Sequence, residues 1–222
     1  AEAADVVYHV IWNDVADWYL EASKGEPNQS VLSWVLETIL KLAHPFAPFV
    51  TETIWSAIEG ERPLLAESDW PKKPKYDTIL AGQFDRLRDL VTEVRFVATD
   101  LPGAKQTLLY GSDTLIAENT ELVQRLGNLK EVKHTEQPSG LRMAVPGREA
   151  WLDVDEKIMY EHQAKLELRL AECRERISRL QSRLENASYV DKAPKKVVEQ
   201  TREELKEQIE LERRLGRELD VI

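Results

Sequence analysis

Apolar residues in the first hundred positions recur at three- and four-residue steps, the spacing of helices that bury one face. Val7, Val10, Ile11, Val15, Trp18 and Tyr19 share one stripe, which predicts a helix over 2–24. Gly25-Glu26-Pro27-Asn28 breaks it. Val31, Trp34, Val35, Thr38, Ile39 and Leu42 predict a second helix over 30–43. His44-Pro45-Phe46-Ala47-Pro48 ends that helix, because proline restricts the residue before it to extended backbone. Pro48 suits the first turn of a third helix, predicted to run to Glu59 and stop at Gly60. Residues 62–76 read as a loop and 77–99 as a fourth helix. Trp12, Trp18, Trp34 and Trp55 lie on apolar stripes, so core packing is expected of each. Phe46 and Phe49, beside the His44-Pro45 joint, are read as core of the same bundle.

The rhythm changes after Leu101-Pro102-Gly103. Segments 106–110, 130–135, 141–145 and 150–154 alternate like strands, and 118–126 reads as a short helix ended by Gly127-Asn128. Pro138-Ser139-Gly140 and Pro146-Gly147 supply turns. A unit of this size barely folds alone, so it is expected to pack on a neighbour.

From Asp155 the helical period returns. Leu166, Leu170, Cys173, Ile177, Leu180, Leu184 and Ala187 step by 4, 3, 4, 3, 4 and 3, an a/d seam. Pro194 opens a return helix with Val198, Thr201, Leu205, Leu215, Leu219 and Ile222 on one stripe, interrupted by Gln208 and Glu212. Two such helices joined at a short tip make an antiparallel coiled-coil arm, its first helix about 48 Å long for roughly 32 residues. The fold class is therefore mainly α with a small α/β insert. The parts are a helical bundle over 1–100, a small α/β subdomain over 101–154 and an antiparallel two-helix coiled coil over 155–222.

Net charge adds direction. The chain of 222 residues carries a formal charge of -10. Residues 1–100 hold 9 Lys/Arg against 17 Asp/Glu, whereas 169–196 hold 8 against 4. An acidic body argues against a general nucleic-acid coat, but a basic tip offers a local place for phosphate. A solvated coiled-coil surface is the plain alternative for the same charges. The single cysteine, Cys173, forms no internal disulfide, and no secretory signal or membrane-length apolar run is present. These features favour a reducing cytosol, hence a cytoplasmic protein.

Catalytic constellations are missing from the sequence. His9, His44, His134 and His162 stand at no metal-ligand spacing, and no glycine-rich phosphate loop or nucleophile elbow occurs. Asp14 and Asp17 share a helical face, where a solvated or capping role is expected, and His44 at a helix end reads as structural. No catalytic residue, metal ligand or cofactor is assigned to the chain.

The run Leu42-Ala43-His44-Pro45-Phe46-Ala47-Pro48-Phe49-Val50-Thr51-Glu52-Thr53-Ile54-Trp55 resembles the anticodon-binding helical domain of class I aminoacyl-tRNA synthetases for valine, isoleucine and leucine. Asp17-Trp18-Tyr19-Leu20-Glu21 and Ser68-Asp69-Trp70-Pro71 are similar to flanking patterns of that family, in the same order. Tyr189-Val190-Asp191-Lys192-Ala193-Pro194-Lys195-Lys196 resembles the tip of the C-terminal tRNA-binding arm of the valine enzymes. Neither ATP motif of the family occurs, and the resemblance begins inside the helical bundle. It therefore implies a tRNA-binding C-terminal piece, inactive alone, of an ATP-using aminoacyl-tRNA ligase. Its implied partners are tRNA and the catalytic and editing domains of the same parent chain, with no DNA, no membrane and a monomeric state. The RNA contacts expected at the tip are Arg176, Arg179, Arg183, Lys192, Lys195 and Lys196. The rival reading is a non-catalytic protein–protein module that uses the arm, which would need an apolar stripe left over after the two helices pair.

Overall fold

The computed structural model describes residues 2–58, 63–103 and 105–222. The expected helix stop at Glu59-Gly60 and the loop start at Arg62 lie outside the described residues. The chain divides into two compact units, Ala1–Gly82 and Gln83–Ile222.

In the first unit, α1 (Glu2–His9) continues through a π-helical stretch (Val10–Tyr19) into α2 (Leu20–Ser23). Asn28 caps α3 (Gln29–Ala43), its side chain accepting from the Val31 amide at 3.1 Å. Such a cap satisfies one of the orphan amides of a first turn. After the His44–Ala47 turn, α4 (Pro48–Ile58) begins with proline, which has no amide to leave unsatisfied. A single 3-10 turn (Leu65–Glu67) folds back so that Leu65 joins Leu40 and Trp55 in a small core.

Trp18 and Trp55 are buried as expected, but Trp12 is 63% exposed and Trp34 46%. The wider i→i+5 winding of residues 10–19 carries side chains off a stripe drawn at 3.6 residues per turn. Trp12 lies against Tyr8 instead, ring planes 3° apart and centroids 6.3 Å apart. Phe46 (49%) and Phe49 (88%) are likewise exposed, so they are not core residues of this unit. Trp55, one helical turn beyond Thr51, is the residue that anchors the joint.

Helix α5 (Thr78–Asp100) has all its buried side chains beyond Gly82: Leu87, Leu90, Val91, Glu93, Val94 and Val97. In the second unit it is followed by β1 (Thr107–Tyr110), α6 (Thr114–Glu118), α7 (Thr120–Leu126), β2 (Glu131–His134), β3 (Leu141–Arg142) and β4 (Ala150–Leu152). The four strands form one mixed sheet in the order β2-β1-β4-β3. β1 pairs parallel with β2 and antiparallel with β4, and β3 pairs antiparallel with β4. Leu108, Leu141 and Leu152 are fully buried along it. Gly140, at φ +101°, admits no side chain, since a Cβ there would lie 2.1 Å from the Leu152 carbonyl oxygen. The short helix expected over 118–126 is α7, and a further helix, beginning before the expected span, precedes it. The earlier one, α6, is capped by Asp113, whose carboxylate accepts from the Ile116 amide at 3.1 Å.

Asp155 caps α8 (Glu156–Glu185), which pairs with α10 (Lys195–Leu219) as the expected antiparallel arm. Leu166, Leu170, Cys173, Ile177 and Leu180 are buried along the seam. Leu184 is half-buried and Ala187 exposed, because the seam ends where a short tip helix, α9 (Ala187–Lys192), turns the chain. Phe96 of α5 packs on the same cluster as Leu166, Leu170 and Leu215, so the base of the arm is welded to the body of its unit. The architecture is mainly α with a small α/β part, as the hydrophobic pattern predicts.

Candidate nucleic-acid interface

The arm tip is assembled by short-range polar chemistry. Asn186 ends α8 and caps α9 by accepting from the Ser188 amide at 3.0 Å. The Thr201 hydroxyl donates to the Val197 carbonyl at 3.0 Å, so Tyr189 donates its phenol to Thr201 at 2.8 Å. That bond holds α9 against α10. Arg183 lies over the Tyr189 ring at 4.4 Å, a cation–π contact that fixes the last cation of α8 beside the turn.

The six cations expected at the tip fall into three groups. Arg176 is tied across the arm to Glu204 at 2.5 Å, and Arg179 along its own helix to Glu175 at 2.7 Å. Both pairs are exposed, so each is worth little and is readily exchanged for another anion. Arg183 is held by Tyr189. Lys192, Lys195 and Lys196 are exposed and form no ion pair among the described residues. Lys195 and Lys196 open α10, where unpaired backbone amides add to their charge.

The second arrangement lies at the joint of the first unit. The Thr51 hydroxyl donates to the Ala47 carbonyl at 2.9 Å, which leaves it an acceptor for His44 Nδ1 at 2.8 Å. Glu52 accepts from the Leu65 amide at 2.8 Å, and the Trp55 indole donates to the Pro63 carbonyl at 3.1 Å. His44, Thr51, Glu52 and Trp55 are thus tied into the turn by these bonds. On the same unit, Trp34, Lys41, Trp70 and Lys72 line a shallow cavity of about 260 Å³. Its two indoles are open, Trp34 at 46% and Trp70 at 62% exposure. Sequence reading missed this pairing, because Trp34 sits on the apolar stripe and Trp70 lies 36 positions away.

The described residues contain no group of three or more His, Cys, Asp or Glu able to hold a metal ion. Among them no helix is long and apolar enough to cross a membrane. On the arm, Tyr160, Leu168 and Val197 are the large apolar side chains left exposed, which make no continuous stripe for a partner helix.

Comparison with known proteins matches both of the stretches that carry these arrangements. Residues 1–109 match the anticodon-binding domain of tRNA ligase, and residues 159–222 match the valyl tRNA synthetase tRNA binding arm. The chain is 34% identical over 219 residues to a valine–tRNA ligase of Thermotoga maritima, covering 91% of this chain and 25% of that protein. It is 32% identical to the Thermus thermophilus valine–tRNA ligase, covering all of this chain and 27% of that protein. For the Bacillus subtilis valine–tRNA ligase the identity is 29%, over 91% of this chain and 26% of that protein. The chain spans about a quarter of the length of the curated relatives it matches.

Proposed function

Since the chain belongs to the valine–tRNA ligase family, as a counterpart of its C-terminal region, we propose that it positions tRNA for aminoacylation carried out elsewhere in a parent enzyme. The observation that carries the reading is the arm tip, with three unpaired lysines at a turn built by Tyr189, Thr201 and Asn186. The bundle meets the anticodon stem-loop and the arm reaches the tRNA elbow, so that the acceptor end is held in register with a catalytic site. In this division of labour, 1–100 serves the anticodon, 101–154 braces the arm and 155–222 carries it.

Phosphate contacts at the tip supply affinity without sequence information, from Arg176, Arg179, Arg183, Lys192, Lys195 and Lys196. Unstacked bases are received by exposed aromatic side chains, for which Trp34 and Trp70, with Lys41 and Lys72 beside them, are the best placed on the bundle. ATP and valine are used by the parent enzyme and not by these residues. The protein acts as a monomer in the cytoplasm, joined to the catalytic and editing domains of its parent.

The test is the salt dependence of tRNA binding. Each lost phosphate contact flattens the slope of log affinity against log salt by about 0.7–0.9. Changing Lys192, Lys195 and Lys196 together to Ala removes up to three contacts, a slope change of about 2–3. Unchanged affinity and slope in that variant would refute the tip as an RNA contact.

A further inference from the structure

Four arginines converge where α5, the loop after β3 and the end of α10 meet. Arg86, Arg148, Arg214 and Arg217 line a cavity of about 440 Å³ in the second unit, together with Glu93 and Asp89. In a chain of net charge -10, this is a local excess of positive charge.

Two of the arginines are built in. The turn Val145-Pro146-Gly147-Arg148 closes through the Arg148 amide to the Val145 carbonyl at 3.1 Å, with Gly147 at φ +70°. It presents Arg148 to Asp113, which takes one guanidinium nitrogen on both carboxylate oxygens at 2.7 and 2.9 Å. The remaining N–H groups of Arg148 form no hydrogen bond among the described residues. Arg214 is flattened on the Phe96 ring at 3.6 Å and donates to Glu93 at 2.9 Å. Arg86 and Arg217, by contrast, are exposed and lie within ion-pair distance of no carboxylate among the described residues.

A second observation points to a missing ligand. Arg214 Nε and Glu93 Oε1 are both buried and have no hydrogen-bond partner in the described structure. Buried polar atoms are almost always paired, so a small shift of the Arg214 and Glu93 side chains toward the cavity would let one bound group that accepts and donates satisfy both. A phosphate oxygen accepts from Arg214. A protonated phosphate oxygen donates to Glu93, or a protonated Glu93 donates to phosphate.

We propose that this arginine cavity at the base of the arm is a phosphate-binding site. Arg148 and Arg214 form its fixed floor, and Arg86 and Arg217 close on the anion from either side. The phosphate is either a backbone phosphodiester of RNA or a free phosphate. The site does not depend on the tip lysines.

The experiment titrates inorganic phosphate into the 222-residue chain by calorimetry, against sodium chloride at matched ionic strength. Saturable binding is expected, weakened about tenfold or more in R86Q/R217Q, since each charge-assisted contact is worth about 1.5–3 kcal/mol and 1.4 is tenfold. Both positions are exposed, so unchanged circular dichroism is expected. Arg148→Lys should weaken binding as well while keeping the Asp113 pair. The variant K192A/K195A/K196A should bind phosphate normally. Added tRNA that displaces phosphate identifies the source as an RNA backbone, and tRNA that binds without displacing it identifies free phosphate. Absence of saturable binding, equal binding in R86Q/R217Q, or loss of binding in the tip variant would each overturn the site. None of those results touches the salt slope set by the tip.

Discussion

The strongest energetic prediction concerns the buried pair at the base of the arm. His162 Nε2 and Glu218 Oε1 are 2.7 Å apart, and each side chain is 1% exposed. His162→Leu leaves the Glu218 carboxylate with no partner, and its other oxygen already has none among the described residues. Removing one member of such a pair costs about 3–5 kcal/mol. Replacing both by apolar groups of similar volume is often neutral or stabilising. H162L/E218M should therefore recover most of the loss, a coupling of about 3 kcal/mol in a double-mutant cycle. Five of the six tryptophans lie in residues 1–82, so fluorescence reports mainly the other unit. Hydrogen exchange of the α8 and α10 amides against urea reads the arm directly. Single substitutions that cost under about 0.5 kcal/mol and add up in the double variant would refute the buried-pair argument.

Four further outcomes follow. A Glu93 carboxyl raised by burial binds its proton more tightly folded than unfolded, so its contribution to stability is present below the ordinary carboxyl value and is lost as pH rises through the folded one. The urea midpoint of wild type should thus fall relative to that of E93Q across that window, and parallel profiles would contradict the burial. Phe49→Ala should change stability by under about 0.5 kcal/mol, whereas Trp55→Ala should cost about 3–5 kcal/mol, as measured by thermal unfolding of the first unit. Cys173 is 4% exposed, its thiol donates to the Gln208 carbonyl at 3.2 Å and burial raises its pKa. A thiol reagent should therefore modify it only after unfolding. Valine-dependent ATP–pyrophosphate exchange by the 222-residue chain should not exceed a contaminant control, and clear exchange would undo the assignment of chemistry to the parent enzyme.

Periodicity reads well where burial is one-sided and continuous. The Leu166–Leu180 seam and its partner stripe from Val198 to Leu219 were legible because two helices bury a single narrow face in each other. The same rule failed at Trp12, Trp34, Phe46 and Phe49. A hydropathy stripe says which side chains could be buried together and not whether a covering layer is there. Helix α6 carries its signal in the open, Asp113 three residues before Ile116, but its apolar run of only a few residues is too short to show a helical period. His162 and Glu218 stand 56 positions apart, and nothing local marks either as a core residue. The tip cations were legible as a cluster. Their division into paired arginines and free lysines depends on which carboxylates face them across the arm, and that is a matter of helix register.

The length of α8 turns the buried pair at its base into a mechanical element. A helix of 30 residues is about 45 Å long, so a tilt of only about 5° at the root swings the far end by about 4 Å. That exceeds the reach of any hydrogen bond. A lever of this kind is only as accurate as its bearing. The His162–Glu218 pair, the Arg214–Glu93 bond and the Arg169–Asp100 bridge gather three attachments from α5, α8 and α10 into that bearing. Loosening any one should broaden the distribution of tip positions before it measurably lowers the helicity of the arm.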